Sequence, residues 1–399
     1  MRSVYVHLFR GSCVILLGLV LSGCANPKAA AARGRFYSGR LIEAEQQLAE
    51  IKYTEKDAIL LFMERGTIRQ SLQKYDESAS DLLKAVQRED YLRTHSATET
   101  AASFLANDNT IAYRGPPFER TLLHTFLAKD FLARGRWEDA AVEARSIINN
   151  LQNLDGFPDD AYSRYMAGFC LELMRDRSNA SLQYRNASNL TAGVHINEST
   201  GAIGPGVRES SNQGNDDNKT AELVCFVMIG RSPTGAQMHN GVPILTASPY
   251  AEFYSNGKYL GRSYPFSNVN TLLYKTMARK MAMQAAKDIA RVAVKATIAH
   301  QLKQQDEGLG LLAELIMFAL ETPDERRWET LPMWLQVARM PCPPDLKYYE
   351  VVFKGPTGGG VQRMTITEPI SRHDNLFVSI CRNLPPSAPE QAPAALPKK

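Results

Sequence analysis

The chain has 399 residues, with 46 Lys and Arg, 42 Asp and Glu, and a formal net charge of +4. This near balance gives no basic excess of the kind that nucleic-acid binding needs, so we expect no nucleic-acid partner. The sequence contains neither a CxxC nor an HxxxH spacing, so it predicts no metal site. Its length is sufficient for two domains.

The N-terminus has the organisation of a secretory signal peptide. Arg2 and Arg10 give it a basic start, and an apolar run follows at 13–21. This run is shorter than the roughly 20 residues that a transmembrane helix needs, and its length is typical of a signal peptide. We therefore predict that residues 1–23 are removed on export.

The residue after the predicted cleavage point is a cysteine. The stretch LSGC at 21–24 resembles the lipobox of bacterial lipoproteins, which implies that the Cys24 thiol carries lipid. Ala25 follows it rather than aspartate, and by the same resemblance this favours the outer membrane, with the protein facing the periplasm. Residues 24–34 are then the lipid anchor and tether. An ordinary signal peptide with a chance cysteine is the alternative.

Four further cysteines belong to the predicted mature chain: Cys170, Cys225, Cys342 and Cys381. An exported protein meets an oxidising compartment, which permits a disulfide between Cys342 and Cys381. Buried free thiols are an equally good interpretation, because pairing cannot be read from the sequence.

Four segments of the first half repeat one pattern, in which a polar turn precedes a small residue. Small residues also occur twelve positions before each of these. The two sets are Ala44, Ser78, Ala140 and Ala180, and Ala32, Gly66, Ala128 and Gly168. This spacing lets two antiparallel helices approach closely, and such pairs must stack to bury their apolar faces. The pattern resembles the tetratricopeptide repeat (TPR) and predicts an N-terminal α-solenoid over 35–190; an irregular helical bundle is the alternative.

The spacing between the second and third repeats is longer, which places an inserted loop at 89–120. Glycine and proline breakers at 115–117 lie between aromatic and charged residues, which predicts a structured loop. Loops on a rigid scaffold often carry recognition. The candidate partner-binding residues are therefore Tyr113, Arg114, Phe118 and Glu119. The alternative is that Tyr113 and Phe118 fill the widened joint between the repeats.

The second half of the sequence changes character. Residues 191–219 are polar and glycine-rich, which predicts a linker. Apolar runs such as 222–229 predict strands. We expect an α/β domain with a mixed or antiparallel sheet and a long helix over 220–384, then a disordered Pro/Ala-rich tail at 385–399. The predicted fold class is α+β, with more than one domain.

The long helix is predicted at 268–305, a stretch that is rich in alanine and basic residues. Basic groups near a bilayer attract anionic headgroups, but here they lie on several faces of the predicted helix. A solvated helix that packs through its alanines is therefore the favoured interpretation.

A tryptophan motif precedes the last predicted strands. The pattern Asp-x-x-Arg-Trp-x-x-Leu-Pro is formed by Asp324, Arg327, Trp328, Leu331 and Pro332. Together with the segment 113–147, it resembles a family of poorly characterised bacterial TPR lipoproteins. Members are typically encoded beside relatives of the curli export channel and of lipoprotein activators of peptidoglycan synthesis. The resemblance covers about 35–380 and implies an envelope role. We expect the motif to be a structural corner that closes the helices onto the sheet.

The sequence indicates binding rather than catalysis. The glycine pattern at 308–313 follows a polar stretch instead of a strand, so a dinucleotide cofactor has no supporting context. We predict no enzymatic activity and no cofactor. The predicted function is a lipid-anchored scaffold or adaptor that binds envelope proteins, through its concave repeat surface or the inserted loop, in envelope assembly or secretion. The alternative is a glycan-binding module that stacks Trp328, Trp334 and Tyr254 on peptidoglycan or exported polysaccharide.

Overall fold

The computed structural model describes residues 27–95, 112–204, 221–233, 247–283, 326–367 and 370–385. The predicted signal peptide, Cys24, Asp324 and the tail from 386 onward lie outside these residues, as do half of the inserted loop (96–111) and the second part of the predicted long helix. Within the described part of the chain, no helix is long and apolar enough to cross a membrane.

Eight helices form four antiparallel pairs in the first half of the described chain. The first helices of the pairs are α1 (Pro27–Tyr37), α3 (Ala58–Ser71), α5 (Pro117–Ala133) and α7 (Ala161–Leu173). The second helices are α2 (Leu41–Ala49), α4 (Tyr75–His95), α6 (Trp137–Gln152) and α8 (Arg177–Leu190). Each pair also packs on the next one, so that the four pairs form a continuous stack.

The predicted small residues lie where the two helices of a pair meet. A Cβ atom added to Gly66 would lie 2.7 Å from Leu82 Cδ2, and one added to Gly168 would lie 2.9 Å from Tyr184 Cδ1. The turn between the helices of each pair contains one residue with positive φ. These turn residues are Gly39, Gln73, Gly135 and Arg175. The left-handed residue lets the second helix fold back on the first.

The described part of the second half contains three sheets. A two-stranded hairpin is formed by β1 (His195–Ile196) and β2 (Ile203–Gly204). The strands of the larger sheets are β3 (Glu222–Ile229), β4 (Tyr250–Ser255), β5 (Lys258–Arg262), β6 (Tyr264–Asn268), β7 (Trp334–Pro341), β8 (Tyr349–Lys354), β9 (Gly360–Ile366), β10 (Ser371–His373) and β11 (Leu376–Arg382). A five-stranded sheet has the order β10–β11–β3–β7–β6, and a four-stranded antiparallel sheet has the order β5–β4–β8–β9. The five-stranded sheet is mixed, because β11 and β3 are parallel.

The five-stranded sheet is the middle layer of the molecule. On β3, Val224 and Phe226 belong to the apolar cluster that contains the helices. Their neighbours Leu223 and Cys225 belong to a second cluster, shared with the four-stranded sheet. Successive side chains of a strand point to opposite faces, so the helices cover one face of this sheet and the four-stranded sheet covers the other. The predicted α+β class is confirmed.

One more helix, α9, follows β6. It begins at 269 and is described as far as 283. Its first turns are buried against the helix stack, whereas most side chains from 277 onward are exposed. The start of α7 is tied to the same region, because the Ser267 hydroxyl donates to the buried carboxylate of Asp160, the N-cap residue of α7.

The structure corrects the predicted linker. Residues 191–204 are not a flexible connection, because they form the β1–β2 hairpin, and Val194, Ile196 and Ile203 are buried in the same cluster as the helices. The apolar residues of this stretch are too few to predict burial from the sequence. The remainder of the predicted linker, from 205 onward, lies outside the described residues.

The thiols of the described chain are all free and buried. Cys342 and Cys381 do not form the disulfide that the compartment would permit. The Sγ atom of Cys381 instead lies 3.6 Å from Sγ of Cys225, on the neighbouring parallel strand.

The close helix contacts give a test of the fold. We expect Gly168→Ala to lower the free energy of unfolding by about 1–3 kcal/mol, because the new methyl group meets the Tyr184 ring. Gly34→Ala is the matched control, since nothing lies within 4 Å of its added Cβ. This change should raise the free energy of unfolding by about 0.5–1 kcal/mol through helix propensity. Urea unfolding measures both, and equal effects of the two substitutions would contradict the packing described.

Candidate functional site: the junction between helices and sheet

Three of the four first helices are buried almost completely, whereas α1 buries only Ala29, Ala32, Arg33 and Phe36. Nearly all side chains of α3, α5 and α7 are buried, including polar ones. The second helices α6 and α8 bury only one stripe. The cause is the five-stranded sheet, since α5 packs on β11 and α7 packs on β6 and β7. The surface that the first helices would offer as a groove is therefore occupied by the C-terminal half of the same chain.

Ionisable side chains are buried at this junction. Lys129 on α5 donates from Nζ to Met228 Sδ on β3 at 3.1 Å, and its Nζ lies 3.3 Å from the centre of the Phe126 ring. Burial lowers the pKa of Lys129 well below its usual value. Burial also raises the pKa of the neighbouring Asp130 to about 8, although Gln70 donates to its carboxylate at 2.8 Å. The junction thus favours the uncharged form of both groups.

The tryptophan motif enters the junction between two first helices. The indole Nε1 of Trp328 donates to Thr67 Oγ1 on α3 at 2.9 Å and to Thr330 Oγ1 at 3.0 Å. Its ring packs on Phe126 of α5, with the centroids 5.0 Å apart. The backbone N–H of Trp328 donates to Glu119 Oε1 at 3.2 Å. The described residues of the motif therefore have a structural role between two first helices, whereas Asp324 lies outside the described residues.

Glu119 joins the tryptophan motif to the inserted loop. Its other carboxylate oxygen accepts a hydrogen bond from the Tyr113 hydroxyl. Tyr113 in turn donates from its backbone N–H to the Lys56 carbonyl oxygen at 2.7 Å, and the Arg326 guanidinium lies 5.6 Å from the centre of its ring. Burial raises the pKa of Glu119 to about 7, although Tyr113 and Trp328 donate to it and favour its charged form.

The candidate partner-binding residues lie inside the protein. Tyr113, Phe118 and Glu119 are at most 3% exposed, so they have no surface to offer a partner. They fill the joint between the second and third helix pairs, which was the alternative for Tyr113 and Phe118. Arg114 is partly exposed, with its NH2 3.6 Å from Glu89 Oε1. The structure thus brings together two motifs that the sequence presented separately.

The remaining motif residues are also structural. Leu331 and Pro332 are buried, and the Leu331 carbonyl accepts a hydrogen bond from the Tyr37 hydroxyl at 2.9 Å. Arg327 lies beside Glu329, with 4.0 Å between Nε and Oε1. Through Tyr37 on α1, the motif thus also holds the first helix pair.

Two ion-pair clusters at the junction were missed by sequence reasoning. In the first, Arg33 on α1 donates from Nε to Glu64 Oε1 on α3 at 2.6 Å. In the second, Arg339 on β7 binds both carboxylate oxygens of Glu172 on α7 at 2.8 Å, and it also donates to Glu222 on β3. Arg339 and Glu172 are 167 residues apart in the sequence, so no local signal connects them.

The residues proposed for sugar stacking do not form one surface. Trp328 and Trp334 are buried, so neither ring can stack on a glycan. Tyr254 is partly exposed on the four-stranded sheet beside Tyr259, but the two rings meet edge to face at 68°. This arrangement is not a flat platform.

Other chemistry at the junction is limited. A cavity of ≈ 200 Å³ lies between the end of α3 and β11 and includes Gln70, Tyr75, Met228 and Arg382 in its lining. Among the described residues, no group of three or more His, Cys, Asp or Glu side chains could hold a metal ion. The arrangement is one that holds two halves of a chain together.

Comparison with known proteins adds no family to this geometry. No protein-family model matches the sequence, and no curated protein sequence matches it. The proposed function therefore depends on the residues and contacts described above.

The buried carboxyl of Glu119 gives a test of the junction. Because its pKa is raised in the folded chain, the neutral form is the one that the fold favours, and stability is lost as the pH rises from about 4.5 to about 7. Glu119→Gln stays neutral and can keep both hydrogen bonds. We expect its free energy of unfolding to exceed that of the wild type at pH 8 by on the order of 1–3 kcal/mol, and by less at pH 5.

Urea unfolding at the two pH values measures this difference. Glu138→Gln, on the exposed face of α6, is the matched control for the loss of one carboxylate at the surface. A Glu119→Gln effect of the same size at pH 5 and pH 8 would contradict a raised pKa at the junction.

Proposed function

We propose that this chain is a lipid-anchored periplasmic scaffold of the TPR type, held in the outer membrane through Cys24, which binds envelope proteins during envelope assembly or secretion. The observation that supports the proposal is that the C-terminal half of the chain occupies the surface where a TPR stack would offer a groove. Since the sheet covers the first helices, partner binding is assigned to the outer face formed by the second helices.

The outer face has a feature that repeats with the helix pairs. Each second helix exposes at least one large aliphatic side chain, between 36% and 62% exposed. These residues are Ile42 on α2, Leu83 on α4, Val142 on α6, and Leu182 and Leu190 on α8. Single exposed apolar residues are common on protein surfaces, but Val142 and Leu182 recur at the same position, two residues after the small residues Ala140 and Ala180. Recurrence along a stack suits a partner that lies across several pairs.

The buried ionisable groups at the junction support a scaffold in a second way. Lys129, Asp130 and Glu119 are shielded from solvent by the sheet and by the tryptophan motif. Groups in such positions act on the stability of the chain rather than on a substrate. Arg33 on α1 forms ion pairs with Glu64 on α3 and with Glu329, in the segment that precedes β7. Arg339 on β7 forms ion pairs with Glu172 on α7 and with Glu222 on β3. These ion pairs hold the first and last helix pairs in place, which keeps the outer face rigid.

Photo-crosslinking in cells tests the proposed function. We expect benzoyl-phenylalanine placed at Val142 or Leu182 of the full chain to form one adduct of the same mass, which mass spectrometry identifies as an envelope protein. Adding Leu83→Asp to the crosslinking chain should weaken this adduct several-fold without changing the unfolding midpoint, because the side chain is exposed.

Tyr259 and Tyr348, exposed in the region of the four-stranded sheet, are the matched control positions. If the adducts from Val142 and Leu182 are absent, or are the same as those from the control positions, the outer face is not the binding surface and this form of the proposal fails.

A further inference from the structure

We propose that one end of the helix stack is a membrane-contacting surface that binds anionic phospholipid headgroups. This inference rests on the proposed function, which places lipid on Cys24. The residues that form the surface are Lys52, Tyr53, Lys56, Lys280 and Met281, and we call them the proximal surface.

The position of the anchor brings this end to the bilayer. Only two residues separate Cys24 from Pro27, where α1 begins. A chain of this length spans at most about 11 Å between the two Cα atoms, a few Å more than the depth of one headgroup layer. The start of α1 is therefore held at or just above the headgroups, and so are the neighbouring parts of the stack.

The loop between α2 and α3 lies beside the start of α1. Since α1 and α2 are antiparallel, the end of α2 returns to the beginning of α1, and Ile51 after α2 is in the same apolar cluster as Ala29. The next residues, Lys52 to Lys56, are all exposed. Tyr53 is 49% exposed and packs edge to face on Phe62. Tyrosine is enriched at the membrane–water interface because its ring is apolar and its hydroxyl is polar.

Helix α9 brings further basic and apolar groups to the same end. The Arg279 guanidinium donates to the Asp155 carbonyl oxygen at 2.9 Å, in the loop between α6 and α7, where a first helix begins. The charge of Lys280 acts on Glu119, in the first turn of α5. Glu119 is connected through Tyr113 to the Lys56 carbonyl oxygen. The Arg279 hydrogen bond places α9, and with it Lys280, at the end of the stack where Lys56 lies.

The exposed side chains of α9 fit a membrane. Met281 is 70% exposed, and Met277, one helical turn earlier on the same face, is 40% exposed. Methionine is a flexible apolar side chain that adapts to irregular surfaces. Lysines beside such residues keep their charge at the headgroups while their apolar stems lie deeper.

The charges at this end suit an anionic surface. Several carboxylates at this end are paired with arginines within the protein, and the pairs are Glu55–Arg88, Asp57–Arg326 and Glu89–Arg120, whereas Glu50 and Asp155 are exposed. The three lysines of the proximal surface, Lys52, Lys56 and Lys280, are exposed and form no ion pair with any described residue. Their charges remain available for lipid phosphates, each contributing about as much as one basic residue near an anionic bilayer. From the sequence we expected the basic helix to be solvated and to pack through its alanines. Its described first part thus has a second role, which is to contact the membrane.

Vesicle flotation of the unacylated chain tests the proposal. The protein is the mature full chain with Cys24→Ser, and the vesicles contain phosphatidylethanolamine with or without phosphatidylglycerol. We expect binding to the anionic vesicles only. Lys56→Gln with Lys280→Gln should weaken it about thirtyfold. Lys258→Gln with Lys347→Gln, two exposed lysines in the region of the four-stranded sheet, is the matched control and should leave binding unchanged.

A fluorescence measurement locates the contact. An environment-sensitive dye on Met281→Cys should shift to the blue on anionic vesicles, and the same dye on Tyr259→Cys should not. Equal losses for the two lysine pairs, or no shift at Met281→Cys, would overturn the proposal. So would a lysine effect on self-association in sedimentation rather than on vesicles, because the surface would then be an interface between copies.

Labelling with radioactive palmitate separates this inference from the proposed function. Label on the wild type but not on Cys24→Ser supports the anchor. If that label is present and the lysine pair has no effect on vesicle binding, the anchor stands and the proximal surface fails. If the label is absent but vesicle binding depends on Lys56 and Lys280, the surface stands and the anchor fails.

Discussion

The five-stranded sheet has two apolar faces, and the rest of the structure depends on covering both of them. Strand β3 is buried along nearly its whole length, as expected for a strand with a layer on each side. The four-stranded sheet covers one face, and the first helices of the stack cover the other. The surface that serves as an open groove in a peptide-binding repeat protein is therefore covered here, and the helix pairs form one rigid body with the sheet.

The polar groups at the junction follow from the same constraint. A sheet that packs on the first helices removes their polar side chains from water, and a buried polar group is costly unless it is hydrogen-bonded or neutral. Arg339 is satisfied by two carboxylates, and Trp328 by Thr67, Thr330 and Glu119. Lys129 and Asp130 reduce the cost by favouring their uncharged forms.

Local patterns in the sequence predicted the helix pairs and most strands. The small residues, such as Gly168 and Ala180, report on contacts between neighbouring helices, so their spacing is visible in one stretch of sequence. The run at 222–229 is apolar without alternation, which is the pattern of a strand buried on both faces. The turns between the two helices of each pair also lie where the repeat pattern predicts them, although Gln73 and Arg175 have positive φ where glycine would be expected.

The junction could not be predicted, because its contacts join distant parts of the chain. Trp328 is 261 residues from Thr67 and 209 residues from Glu119. In the sequence, Glu119 and Tyr113 look like exposed loop residues, and only the arrival of the tryptophan motif makes them interior. Short apolar stretches such as that around Val194 carry too weak a pattern to indicate that the sheet and helices share one core.

The helix stack and one face of the sheet share a single apolar core, so we expect them to unfold as one cooperative unit. Native-state hydrogen exchange of the full chain, at increasing urea below the unfolding transition, measures whether they do. We expect the slowest amides of α5 and α7 and those of β3 and β7 to converge on the same free energy of opening. If the strand amides open at a lower free energy while α5 and α7 stay protected, the two halves are separate units and the groove is free to open.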